Sequence, residues 1–207
     1  MNFLEIAKEV NIASGLQGDV DTITSPTGIQ RSLIHLINSA YLDIQMLRQD
    51  WAWMRTNGVF SWNFESNDPK VNSGIHKYLL IHYNHKPLEF IDYEEWLLNS
   101  YTYKTGIPEK FTLLPETNGI IINPADAYYN VEYRGIKVPE SLTSNVQVPL
   151  LPVFYHNIIV YKSAYEIGLF LGNAEIMNIN LGKYDFLLGS LMRSQNLPKR
   201  IIQRPLA

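Results

Sequence analysis

The chain has 207 residues, 46% hydrophobic and 18% charged, with a formal net charge of −3. It shows no basic run of the kind that grips duplex DNA, and its lack of cysteine excludes disulfides, thiolate catalysis and cysteine zinc sites. The charged share falls below the usual quarter or so, which reads either as surface meant for neighbouring chains or as a large core.

Met1-Asn2-Phe3-Leu4-Glu5 lacks the charged start and long apolar run of a signal peptide, so none is expected. Phe3, Ile6, Ala7 and Val10 recur at helical spacing and predict a first helix, capped by Asn2 and stopped by Gly15. Residues 16–27 are polar and read as a loop. Ser25-Pro26-Thr27 supplies a cap and an N-terminal proline for a second helix, whose seam is Leu33, Ile37, Ala40, Ile44 and Leu47.

After Asp50 the character changes. Short segments rich in aromatic and β-branched residues, around 58–64, 77–83, 87–91, 110–114, 119–122 and 128–134, are separated by turn signals and predict strands. Asn118-Gly119, between Thr112-Leu113-Leu114 and Ile120-Ile121-Ile122, predicts a hairpin. Tyr93 to Tyr103 predicts a short helix with Trp96 and Leu97 inward. Pro149 and Pro152 bar a continuing sheet ladder. A third helix is expected from Val153 to Leu171 with the stripe Phe154, Ile158, Tyr161, Tyr165 and Leu169, broken by Gly172-Asn173. A fourth begins near Ala174 with Ile176, Ile179, Phe186, Leu187 and Leu191, and Pro198 closes it.

The expected fold class is α+β: a four-helix bundle body interrupted by a β-rich insertion, with an extended C-terminal tail. Residues 1–48 form the first half of the body, 49–151 the insertion, 152–196 the second half and 197–207 the tail. Helices one and two are expected to pack on three and four, since each stripe alone would face water.

Chemistry is sparse. No glycine-rich phosphate loop and no Gly-x-Ser-x-Gly elbow occurs. Asp92, Glu94 and Glu95 cluster, but neighbouring carboxylates on a short helix diverge and read as a solvated face. His76, His82 and His85 resemble metal spacing, yet residues three apart on a strand point to opposite faces and no nearby acid completes a ligand set. His35 and His156 read as hydrogen-bonded packing residues. Trp51, Trp53, Trp62 and Trp96 could stack a sugar or base, but their spread favours core and interface packing. No catalytic residue, metal ligand or cofactor is assigned, and no enzymatic activity is expected.

Three blocks carry a family resemblance. Asn38-Ser39-Ala40-Tyr41-Leu42-Asp43-Ile44-Gln45 followed by Asp50-Trp51-Ala52-Trp53-Met54 resembles the second-helix signature of the head-to-tail adaptor (connector, or head completion) proteins of tailed bacteriophages, especially short-tailed phages. Gly106-Ile107-Pro108-Glu109-Lys110-Phe111 is similar to their Gly-x-Pro turn before a strand. Pro149-Leu150-Leu151-Pro152-Val153-Phe154-Tyr155-His156-Asn157-Ile158-Ile159 is similar to the start of their third helix, although Gln147-Val148 stand where the family often has an acid.

The resemblance implies a virion protein at the head–tail interface, assembled in the bacterial host cytoplasm. It would form a ring of about twelve copies (a dodecamer) closed by heterologous contacts, seated under the portal protein and offering a platform to tail nozzle or tail fibre proteins. DNA would pass through without specific binding; no membrane is involved. Leu197, Pro198, Lys199, Arg200, Ile201, Ile202, Gln203 and Arg204 are the candidate portal contact, the other reading being a frayed terminus. Trp51, Trp53, Tyr41, Ile44, Pro152, Phe154 and Tyr155 are the candidate domain-junction core. The alternatives are a carbohydrate- or peptide-binding module on the β insertion, and a hydrolase using Asp92 or Glu94.

Overall fold

The structure is a computed structural model that describes residues 1–16, 18, 20–23, 28–63, 69–99, 106–123 and 127–195. Among the described residues lie five α-helices and seven strands in two sheets: α1 (Phe3–Ala13), α2 (Ile29–Met46), β1 (Arg55–Asn63), β2 (Ile75–Tyr83), β3 (Lys86–Pro87), β4 (Glu89–Phe90), α3 (Tyr93–Leu98), β5 (Lys110–Leu113), β6 (Ile120–Asn123), β7 (Tyr128–Lys137), α4 (Asn157–Leu171) and α5 (Ala174–Gln195). Two compact units result, one made of Met1–Trp53 with the chain from Glu140 on, the other of Met54–Pro139.

The expected four-helix bundle body is overturned: the chain is a mixed α/β protein. A bundle needs four helices sharing one core through mutual seams. Here α4 is a hub on which α1, α2 and α5 each pack. α1 has only 11 residues, and the fully buried side chains of α5 are Asn180 and Leu191.

In the helical unit, α1 starts on a capping box: Asn2 Oδ1 accepts from the Glu5 N–H at 2.9 Å and Glu5 Oε2 accepts from the Asn2 N–H at 2.9 Å. Phe3, Ile6, Ala7 and Val10 are buried, as their spacing predicts. The expected Ser25-Pro26-Thr27 cap lies outside the described residues; α2 follows Gly28, which has φ +53° and makes no side-chain cap. Its seam holds Leu33, Ile37, Ala40, Tyr41, Ile44 and Gln45, while Leu47 is left exposed.

The third predicted helix starts late. Val153–Tyr155 is one 3₁₀ turn and α4 begins at Asn157. Its expected stripe holds only in part: Ile158 is buried and Tyr161 and Tyr165 are half-buried, but Phe154 is 92% exposed and Leu169 is exposed, while Ile159, Val160, Ser163, Ala164, Ile167 and Gly168 are buried instead. Small residues let partner helices approach α4 closely, so Ser163, Ala164 and Gly168 join Ile158, Ile159, Val160 and Ile167 in its buried faces while the aromatics stay outside. Gly172 ends α4 at φ +66°, and Asn173 Oδ1 caps α5 by accepting from the Glu175 and Ile176 N–H groups at 3.1 and 3.2 Å. In α5, Ile179 and Phe186 are exposed rather than buried. No helix among the described residues is long and apolar enough to cross a membrane.

The β unit holds a four-stranded antiparallel sheet in the order β1-β7-β2-β3 and a three-stranded sheet in the order β4-β5-β6. Asn84 and His85, both at positive φ (46° and 62°), form the two-residue turn joining β2 to β3. The predicted Asn118-Gly119 turn joins β5 to β6, with Leu113 opposite Ile120. Trp62, Ile75, Ile81, Leu88, Phe111, Ile120, Ile122, Tyr129, Val131 and Tyr133 form one core drawn from both sheets. Gly58 faces Tyr133 across the ladder, and a Cβ at Gly58 would strike that ring. In α3, Trp96 is buried but Leu97 is exposed, against expectation.

Candidate interaction site

Residues 140–151 have no regular secondary structure, yet they bind much of the helical unit. Two carboxamides on α2, Asn38 and Gln45, grip this strap. Asn38 Nδ2 donates to the Leu142 carbonyl at 3.0 Å, and its Oδ1 accepts from the Leu142 N–H at 2.8 Å. Gln45 does the same to Glu140, at 2.9 and 3.1 Å. Each side chain thereby replaces the strand partner that an extended backbone would otherwise need. The Tyr41 hydroxyl accepts from the Leu150 N–H at 2.9 Å, and burial pushes its pKa up to about 12. Phe3 N–H, a free donor of the first helical turn, bonds the Gln147 carbonyl at 2.8 Å. Gln147 Oε1 accepts from the Thr143 N–H at 2.7 Å, so this glutamine braces the strap.

His156 closes the strap. Its Nε2 lies 2.8 Å from the Leu151 carbonyl and its Nδ1 2.9 Å from the Met1 ammonium. A carbonyl only accepts and an ammonium only donates, so the ring is the neutral Nε2–H tautomer. Burial, with the Met1 charge adding to it, lowers its pKa. Between α2 and α4, Lys162 Nζ sits 2.6 Å from Glu166 and 3.2 Å from Asp43. Burial pushes the Lys162 pKa down, but Glu166 and Asp43 outweigh it and the net shift is upward.

The predicted junction residues divide. Trp51, Tyr41 and Ile44 are fully buried in the helical unit, with Trp51 Nε1 donating to the Ile44 carbonyl at 2.9 Å. Trp53 is half-buried and stacks on Trp51 at 5.8 Å between centroids. The Arg48 guanidinium lies 5.3 Å over the Trp51 ring and bonds Asp50 at 2.9 Å. Pro152 and Tyr155 are half-buried; the Tyr155 hydroxyl bonds Ser194 and Ser190 of α5, which draw its pKa down. Phe154 belongs to no core, since it stands out in solvent. The predicted portal contact, Leu197 to Arg204, lies outside the described residues. Sequence reasoning missed Asn38 and Gln45; the available signal was a pair of carboxamides seven apart on a seam.

Large apolar side chains are exposed over this unit: Val146, Val148, Val153 and Phe154 on the strap and turn, Leu169, Phe170 and Leu171 at the end of α4, and Ile179 and Phe186 on α5.

On the β unit, Asn57, Gly58, Val59, His82, Glu132, Tyr133 and Arg134 line a shallow groove of about 340 Å³. Register places Val59 beside Glu132 and Glu132 beside His82, and His82 Nε2 meets Glu132 Oε2 at 2.9 Å. The lining holds no serine, threonine, cysteine or lysine, and its one hydroxyl, on Tyr133, accepts from Asn72 Nδ2 at 2.8 Å. His76 and His85 are exposed, as is His35, which corrects its reading as a packing residue. Asp92 spends its carboxylate capping α3, accepting from the Glu94 N–H at 3.0 Å. Trp62 and Trp96 are both buried and present no stacking surface.

Set against known proteins, the sequence matches no family model and no curated protein.

Proposed function

We propose that this chain is a structural head-to-tail adaptor of a tailed bacteriophage, without enzymatic activity. Copies form a ring under the portal, extend the DNA channel and link the capsid vertex to tail nozzle or tail fibre proteins, so that the genome leaves through the ring without specific contact. The observation that carries the reading is the exposed apolar surface of the helical unit, with Phe154 92%, Val146 77% and Phe170 76% exposed. Several large apolar side chains left bare on one unit support contact with another protein, and a unit that keeps its own core and strap intact while leaving such residues bare is built to be covered. The sequence resemblance to adaptors gives the partner. Imaging purified chain mixed with purified portal rings tests it. A closed ring seated on the portal is expected; chains that never associate with portal would overturn it.

A ligand-binding module on the β unit has less support, because Trp62 and Trp96 are each 1% exposed. The tryptophans that could have stacked a sugar are thus enclosed, although Tyr128 and Phe90 keep exposed rings.

A further inference from the structure

On α5, Glu175, Ile179, Gly182, Phe186, Gly189 and Arg193 follow one another at spacings of 4, 3, 4, 3 and 4. That alternation places them on one helix face, on the far side from the buried Asn180 and Leu191. Ile179 is 50% and Phe186 72% exposed. Among the described residues nothing requires glycine at 182, since a Cβ there would meet nothing within 4 Å. Gly168 on α4 differs: its Cβ would lie 3.0 Å from the Met177 backbone nitrogen, so the α4–α5 contact requires it. A glycine in a helix interior sacrifices stability relative to alanine, and at Gly182 no contact among the described residues compensates.

The order along the face is acid, bulky, small, bulky, small, base, which is its own complement when reversed. We infer that α5 pairs antiparallel with the α5 of a second copy of this chain. Phe186 then seats over the second copy's Gly182 and Ile179 over its Gly189, while Glu175 meets Arg193 at both ends. The parallel arrangement fails on the same residues. It sets Phe186 against Phe186 and glycine against glycine, leaving voids, and it opposes Arg193 to Arg193 and Glu175 to Glu175. This pair does not depend on the adaptor reading. A two-fold contact closes on two copies, whereas a ring needs a heterologous one, so it describes the protein before any ring forms.

Sedimentation velocity on the full chain tests it. A concentration-dependent mass of two chains is expected, lost in Phe186→Asp and in Gly182→Leu. Arg193→Glu should weaken the pair and Glu175→Arg should weaken it alike; the two together should restore it, an outcome that misfolding cannot mimic. Direction is tested by disulfides, because the natural chain contains no cysteine. A Gly182→Cys chain mixed with a Phe186→Cys chain should cross-link, and neither alone should, since Cα atoms more than about 7 Å apart cannot be bridged. A single-chain mass at every concentration, a dimer indifferent to Phe186→Asp, or cross-linking of the Gly182→Cys chain with itself would overturn the inference.

Discussion

At the scale of single residues, the helical unit depends on polar side chains placed in apolar seams. Gln45 is buried and serves both the N–H and the carbonyl of Glu140. Gln45→Leu keeps the volume but strands two backbone groups, each costing about 1–3 kcal/mol when left unsatisfied in the interior. Because Glu140 lies where the strap is partly open to water, the expected loss is about 2 kcal/mol in total, read from urea melts. A loss under about 0.5 kcal/mol would mean water replaces the carboxamide. The same residue shows where sequence reasoning stops. Ile37, Ala40 and Ile44 announce their face by spacing, whereas nothing in a glutamine at a seam position says that an irregular segment far along the chain will need its amide.

His156 sets a pH dependence with a definite sign. Its folded pKa is held below the unfolded value of 6.5 by burial, helped by the Met1 ammonium. The unfolded chain therefore takes up the proton first as pH falls. Stability from this group is complete above pH 6.5, declines as pH drops through and below that value, and levels off once the folded ring protonates too. Denaturant midpoints for the natural chain should fall across that window. His156→Gln, whose amide can donate to Leu151 and accept from Met1, should flatten the curve while leaving the alkaline plateau near its natural height. An unchanged slope in the variant would assign the dependence to other groups.

At the scale of elements, α4 and α5 explain why apolar periodicity succeeded for α1 and failed here. α1 packs one face on one side, so Phe3, Ile6, Ala7 and Val10 read directly. α4 is surrounded by α1, α2 and α5, so apolar residues occur around most of its circumference and no single stripe stands out. The face that meets α5 is marked by Gly168, where backbone proximity matters more than side-chain hydrophobicity. The short strands were legible because turns punctuate them; the core partnership of the two sheets was not, since pairing order is a long-range property. Two glycines make the helix contact testable. Gly168→Ala places a Cβ 3.0 Å from the Met177 backbone, which cannot give way cheaply, and is expected to destabilise. Overpacking of this kind costs about 1–3 kcal/mol. Gly182→Ala meets nothing and should stabilise the single chain by up to about 1 kcal/mol through helix propensity. Thermal melts at low concentration would show opposite shifts, and two shifts of the same sign would contradict the packing described for α4 and α5.

At the scale of the whole molecule, the chain passes from the helical unit to the β unit and back once, at Trp53–Met54 and Pro139–Glu140. Arg55 on β1 pairs with Ile136 on β7, so the excursion leaves and returns through neighbouring strands. Antiparallel partners stand about 4.5–5.5 Å apart between Cα atoms, a gap that a short Gly-Ser linker spans without strain. The groups that hold the helical unit together, the Asn38 and Gln45 contacts, Tyr41 on Leu150, Trp51 on Ile44 and the Gln147 brace, all lie outside the excursion. Replacing residues 55–136 with such a linker should therefore leave a cooperatively melting helical protein, checked by far-ultraviolet circular dichroism and by amide exchange protection in α2 and α4. The apolar surface on which the adaptor reading rests also stays with that unit, so the shortened chain should still associate with portal. A shortened chain that folds but ignores portal would move the contact to the β unit, while one that collapses without protection would show that the helical core cannot stand without its sheets.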